Sequence, residues 1–354
     1  MGEVSIIKEK QELDSLKQAW CTIVENSPNN SVFLQYDWIK SVINSYNPKI
    51  LIIVAKEENK IKGILPLQIT NSGDFEFITC DTTTLNGVIY DGSYEILEAL
   101  LDKVFEIKKW NILSLTKIHE DSNTVAQIKQ YLSKKNIKFN MSEIKCPQIL
   151  INKSWGEFKA SKRERFRKML RYITNRVNKL GARVELHTKN KENLFGDFLE
   201  VSSQSWLAQE GATLVNEESK KELYKLLFEN ASKNKWLYAW ILRKSDEEPI
   251  AVEFDLKYNN KVYALMSLYK EKYEQDSPGT YLHSQIVKHC FENGIKMYDM
   301  GPGLNQYKLG WTENLRNLVS FQIFNNSIKS RITYTGLKMN AFLKNILKAY
   351  TGVK

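Results

Sequence analysis

The sequence predicts a mixed α/β protein of two similar units, each a mixed, largely antiparallel sheet flanked by helices. Three observations lead there. The chain has 354 residues, more than one ordinary core organises, and its 42% hydrophobic and 26% charged fractions are those of a folded protein. Apolar residues switch repeatedly between helical spacing and short strand-like runs. A hairpin pattern also occurs twice: Ile50 to Ile69 and Leu237 to Leu256 each set a charged turn between two apolar runs. The second run begins Ile-Lys-Gly-Ile in one and Pro-Ile-Ala-Val in the other.

Taken in order, Leu13, Leu16, Trp20, Ile23 and Val24 mark a first helix that stops at Ser27-Pro28-Asn29-Asn30. Trp38, Ile39, Val42 and Ile43 share a face of a second helix, Tyr36 to Asn44. Strands follow at Lys49 to Ala55, Ile61 to Ile69 and Phe75 to Cys80, with Pro66 favouring an edge or bulged position. Helices at Ile96 to Phe105 and Val125 to Lys135 then alternate with strands at Asn111 to Leu115 and Ile137 to Ile144. A long basic helix, Ser161 to Leu180, opens the second half, and a helical stretch runs on to about Lys233. Strands return at Trp236 to Leu242, Ile250 to Leu256 and Lys261 to Tyr269, before a helix from Tyr281 to Glu292 and a short strand from Lys296 to Met300. The expected domains are residues 1–151, 152–327 and a basic amphipathic helical tail, 328–354.

The formal charge of +10 is moderate, so the placement of cations matters more than their sum. Four cysteines lie far apart, with no CxxC pair and no histidine at metal-ligand spacing, which predicts a reduced compartment and no metal site. Charges in Met1 to Lys10 break the apolar run that a secretion signal needs, and no run of about 18 apolar residues exists to span a bilayer. The expectation is a cytoplasmic chain.

Ser277-Pro278-Gly279-Thr280-Tyr281 lies between a strand and an amphipathic helix. A glycine at a helix start lets backbone N–H groups approach a phosphate, whereas a serine cap followed by proline is also an ordinary helix start. Order adds to this pattern. Three antiparallel strands, a glycine loop, a helix closed by Asn293-Gly294, a short strand and then Gly301-Pro302-Gly303 follow one another. Asp276-Ser277-Pro278-Gly279, Tyr298-Asp299-Met300-Gly301 and Gly303-Leu304-Asn305-Gln306-Tyr307-Lys308 resemble the closing motifs of FemAB-like and CelD-type acyltransferases of the GNAT superfamily. The basic run Ser161 to Lys168, and Ser31-Val32-Phe33-Leu34 with Asp37-Trp38, resemble other parts of that family.

The resemblance implies two tandem GNAT-like units, with the donor bound by the second. It implies an N-acyltransferase that moves an acyl group, acetyl above all, from acyl-CoA to an amine of a small molecule or an amino sugar, in cell-envelope polysaccharide synthesis. The family's usual Arg/Gln-x-x-Gly-x-Gly/Ala loop is reduced here to one Pro-Gly, so the carrier stays open between CoA, acyl carrier protein and tRNA. Two alternatives stand beside this reading. One is an aminoacyl-tRNA-dependent peptide-bridge ligase of the FemAB type, the other a non-catalytic nucleic-acid-binding protein on a GNAT scaffold.

N-acyl transfer needs a base for the amine, donors for the carbonyl and an acid for the leaving thiolate. Glu253 and Asp255 share a face of one strand by its two-residue period, and either could be the base or simply an exposed polar face. Asp299 ends a strand where ligands collect in α/β folds. Tyr307, or Tyr269 at the end of the third strand, is a candidate acid, and Lys308 a cation for thiolate or phosphate. Ser277, Pro278, Gly279, Thr280 and Tyr281 form the candidate donor loop. Trp206 could wall the acceptor pocket or belong to the core. Arg163, Arg167 and Arg171 on the basic helix suit phosphates, or are a solvated face. Past Ser327, Ile332, Leu337, Phe342, Leu343, Ile346 and Leu347 alternate with lysines and Arg331, a pattern that suits contact with an anionic membrane face or packing on the core. The four histidines receive no role.

Overall fold

The computed structural model describes residues 2–27, 29–337 and 339. The chain forms two units, Met1–Ile39 with Asn47–Ile144 and Asn317–Lys354, and Lys40–Tyr46 with Lys145–Arg316.

The first unit holds strands β1 (Val4–Ile7), β2 (Lys49–Glu57), β3 (Lys60–Ile69), β4 (Phe75–Phe77), β5 (Ile89–Tyr90) and β6 (Ile112–His119), with helices α1 (Lys17–Asn26), α3 (Tyr94–Glu106) and α4 (Asn123–Lys134) and the first turn of α2 (Tyr36–Tyr46), whose residues from Lys40 onward count with the second unit. Its pairings are antiparallel except for β4 with β6, which run parallel through Phe75–Leu113 and Glu76–Ser114. Leu97, Leu100, Leu101 and Val104 of α3 and Val125, Ile128 and Leu132 of α4 bury helical stripes on Leu51, Ile53, Leu65 and Leu113 of the sheet. Pro66 lies in a central strand, not at an edge. Its side of β3 is the gap between β5, paired at Gly63 and Ile64, and β4, paired from Leu67 onward, so the missing N–H costs no ladder bond.

The second unit begins with residues 145–150 of β7 (Phe139–Leu150), followed by helices α5 (Trp155–Ala160) and α6 (Glu164–Lys179), β8 (Arg183–His187), α7 (Leu194–Ser203) and α8 (Glu218–Lys233). Then come β9 (Leu237–Arg243), β10 (Pro249–Tyr258), β11 (Lys261–Tyr269), α9 (Pro278–Glu292), β12 (Met297–Asp299) and α10 (Gln306–Trp311). The sheet order is β7-β12-β11-β10-β9-β8, with β11 and β12 the parallel pair. One face carries α6 and α9 through Leu170, Ile173, Val177, Leu282, Ile286 and Val287. The other carries α7 and α8, where Phe198, Tyr224 and Phe228 pack their rings on Phe254.

The two hairpins of the repeated pattern are β2–β3 and β9–β10, each the middle of an antiparallel run that ends in one parallel pair. Besides the two-residue β5, three strands escape the sequence reading. β1 is only 4 residues. β8 interrupts the helical stretch expected up to Lys233; Val184 and Leu186 alternate with charged neighbours, and the strand pairs with β9. The third, β13 (Leu315–Phe324), pairs antiparallel with β6 and buries Val319, Phe321 and Ile323 in the first unit's core. Of the expected tail, residues 328–337 are helical, with Ile328 79% and Ile332 69% exposed. Phe342, Leu343, Ile346 and Leu347 lie outside the described residues.

Candidate active site

The parallel pairing of β11 and β12 stops at Tyr263–Asp299, while β11 continues to Tyr269. A register shift between β10 and β11, after Phe254–Met266, bends the strands at the same level. Against this parting of strands, α9 brings in a histidine.

Glu253 and Asp255 of β10 point into the layer under α9 and are 1% and 0% exposed, so they are not an exposed polar face. His283 of α9, 3% exposed, sets Nδ1 3.0 Å from Glu253 Oε1. The hydroxyl of Tyr298 on β12 donates to the same oxygen at 2.5 Å and lies 3.4 Å from Asp255 Oδ1. One hydroxyl carries one proton, and it goes to the nearer acceptor. Burial, and then the charge of Glu253, hold the Asp255 carboxyl well above the ordinary carboxylate range, so Asp255 keeps its own proton. The pair is thus an acceptor of two hydrogen bonds, Glu253, beside a neutral acid, Asp255. Burial, with both acids nearby, also pushes the Tyr298 phenol up.

With Nδ1–H donated to Glu253, the imidazole keeps a lone pair on Nε2. That atom is buried and has no hydrogen-bond partner among the described residues, as is true of Glu253 Oε2 and Asp255 Oδ2. Trp311 of α10 and Tyr307 flank the ring, with centroids 4.9 Å and 5.6 Å away. Tyr307 is 42% exposed, so the imidazole sits one ring behind the surface. Burial of its hydroxyl end, then the charge of Glu253, still push the Tyr307 phenol well up.

The remaining candidates fall into separate groups. Asp299 is fully engaged: Arg316 Nη2 lies 2.7 Å away, Gln148 Nε2 donates at 3.2 Å and the Gly301 backbone N–H at 2.8 Å. Three donors and 1% exposure make it a brace for the turn after β12. Lys308 donates to the Gly301 and Pro302 carbonyls at 3.2 Å and 3.0 Å, and burial lowers its pKa. It closes the Gly-Pro-Gly turn, where Gly301 and Gly303 take φ of 74° and 89°, backbone that only glycine adopts freely.

Gly279, in the candidate donor loop, has a packing reason to be glycine, since a Cβ there would lie 3.1 Å from Tyr269 Cδ1. Ser277 takes a left-handed φ of 52° and makes no side-chain cap, and Pro278 has no N–H to offer. Asp276, just before them, pairs with Arg176 of α6 at 2.9 Å. An anion approaching this helix start meets a carboxylate and the Tyr269 ring. Burial raises the pKa of Tyr281, a turn into the helix. Trp206, 45% exposed, follows Ser205, which bridges to Lys270 next to Tyr269. Arg163 stands out in solvent, its side chain 91% exposed and 3.9 Å from Glu313. Arg167 lines a cleft between α5, α6 and α9. The described residues contain no group of three or more metal-ligating side chains, and no helix long and apolar enough to cross a membrane.

Sequence reasoning missed His283, Tyr298, Arg316 and Gln148. One signal existed: His283 lies four residues after Gly279, on the apolar stripe of its helix with Leu282, Ile286 and Val287.

Residues 164–309 match the family model described as acetyltransferase (GNAT) domain. Among solved structures, FemX shares 14% identity over 93% of this chain and 100% of its own, with a TM-score of 0.64. The C-terminal domain of a putative lysylphosphatidylglycerol synthetase from Agrobacterium fabrum shares 10% over 91% and 95%, at 0.59. L-PGS from Bacillus licheniformis shares 10% over 93% and 96%, at 0.58. Such identities speak for the fold. No curated protein matches the chain by sequence. The second unit is accordingly a GNAT domain with an acyltransferase-type fold. Outside that domain, the likeness to FemX and to the lysylphosphatidylglycerol synthetases is one of fold, over more than 90% of the chain.

Proposed function

We propose that the protein is an N-acyltransferase that uses acyl-CoA and acylates an amine of a small molecule or amino sugar, with His283 as the base. The observation that carries this is the buried His283–Glu253–Tyr298 group behind Tyr307, at the parting of β11 and β12. The amine nitrogen attacks the acyl carbonyl carbon, its proton passes to His283 Nε2, and Glu253 stabilises the imidazolium. Tyr298 holds Glu253 in place. As the C–S bond breaks, the thiolate takes a proton from Tyr307, the phenol beside the base. The acceptor class and a role in envelope polysaccharide rest on resemblance to the FemAB-like and CelD-type proteins.

The test is thiol release from acetyl-CoA over a panel of amines, for wild type and two variants. His283→Gln should lower kcat by about 10²-fold or more while changing KM for the donor little. Tyr298→Phe should lower it less and shift the pH profile. An unchanged kcat in His283→Gln removes the histidine from the chemistry.

A second reading, transfer from an aminoacyl-tRNA, is favoured by the fold shared with the lysylphosphatidylglycerol synthetases. Transfer of a labelled aminoacyl group with no thiol release from any acyl-CoA would establish it.

A further inference from the structure

We propose that the cleft between α5, α6 and α9 binds the phosphate groups of the acyl donor, held by Arg167 and Arg171. The identity of that donor as a CoA thioester rests on the reading above; the cleft's preference for phosphate does not.

The cleft has a volume of about 810 Å³, the size of a small-molecule site. Lys159, Arg167, Arg171 and Lys288 line it, against one lining carboxylate, Glu164, which pairs with Lys168 at 2.8 Å. Lys288 lies 3.8 Å from Glu292. The side chains of Arg167 and Arg171 have no ion pair or hydrogen bond among the described residues. They stand four residues apart on α6, so their Cβ atoms are about 5–6 Å apart on one face, and two like charges at that spacing destabilise a helix. An anion bridging them offsets that cost. Guanidinium forks also match phosphate oxygens in pairs. Trp155 and Tyr281 add aromatic surface to the same cleft.

The other place for a phosphate, the start of α9, follows a carboxylate, Asp276, packs Gly279 close to the Tyr269 ring and has in Pro278 a residue with no N–H. The cleft runs along the same helix, lined by Ser284, the residue after the proposed base. A donor anchored on α6 thus holds its phosphates beside the helix that carries His283.

The experiment is calorimetric titration of the full-length protein with CoA and, separately, with inorganic pyrophosphate. Both should bind wild type, more weakly as salt rises. Arg167→Gln and Arg171→Gln should each weaken both probes by about tenfold, a charge-assisted contact, and the double variant by more. Lys191→Gln, an exposed lysine outside the cleft, should change them less than twofold. Unaltered affinity of both probes in the double variant places the phosphates elsewhere and overturns the cleft, while leaving acyl-CoA as donor. Pyrophosphate binding that depends on both arginines, with no CoA binding to any form, keeps the cleft and removes acyl-CoA. Binding of neither probe to wild type, including a result in which only RNA binds, overturns the proposal.

Discussion

Glu253 and Asp255 stand two residues apart on one strand and are buried alike, yet their neighbours differ. Glu253 receives Tyr298 and His283, while the Tyr298 hydroxyl lies 3.4 Å from Asp255, whose carboxyl burial pushes well up despite Tyr298 and Trp240. A buried carboxyl whose folded pKa is raised contributes its full stability below its unfolded pKa of about 3.9, and loses it as pH rises toward the folded pKa. Asparagine cannot ionise. The stability of Asp255→Asn relative to wild type should therefore improve between pH 4 and 7, by up to about 1.4 kcal/mol per pH unit until the native acid ionises. Urea denaturation at pH 4.5 and 6.5 measures this, and a difference that stays constant with pH would show that Asp255 is charged in the fold. The two-residue period placed both acids on one face from sequence. It could not tell inside from outside, because burial is set by α9, whose His283 lies 30 residues further on.

Between residue and element, Lys270 ties the end of β11 to the stretch after α7. Its side chain is 1% exposed, with Nζ 2.5 Å from Glu200 and 2.8 Å from Glu248, while Ser205 pairs with its backbone. Burial would raise the Glu248 carboxyl, but hydrogen bonds from Lys270, Lys272 and Tyr273 outweigh it and bring it down to about 2. A depressed carboxylate contributes stability above its unfolded pKa of about 4.3 and loses it as pH falls through the folded value, so this anchor should weaken from about pH 4 toward 2. Lys270→Met should destabilise the second unit by about 3 kcal/mol, the lower end for a broken buried pair because both acids still reach water. Amide exchange should accelerate over residues 204–217. If those amides keep their protection, the stretch is held by something other than this lysine. The same stretch carries Trp206, next to Ser205, so its placement depends on that anchor.

At the scale of the whole molecule, β13 decides the composition of the first unit. Phe321 is fully buried against that core, and its partner on β6 is Leu115. Phe321→Ala should cost about 3–5 kcal/mol, the loss of a buried aromatic side chain. Hydrogen exchange should show the loss in residues 112–119, which pair with β13. Protection retained there would mean that β6 does not depend on its late-sequence partner. Domain limits drawn along the sequence cut at 151/152 and 327/328, whereas residues 317–324 close the first unit's sheet and residues 145–150 pair with β12 of the second.

The sequence by itself determined whatever is periodic or punctuated within some twenty residues: the paired hairpins, the alternation of helix and strand, the glycine turn at 301–303 and the shared face of Glu253 and Asp255. Local spacing encodes these because backbone geometry fixes which side chains point together. Tertiary structure alone decided the partners that cross long stretches of chain. It gave Glu253 to Tyr298, 45 residues away, and engaged Asp299 with Gln148, 151 residues away. It turned Gly279 toward Tyr269 and sent Arg167 into a cleft while leaving Arg163 in solvent. A residue's chemistry at such a site depends on which groups desolvate it and which donors reach it, and packing sets both across distances that no sequence period records.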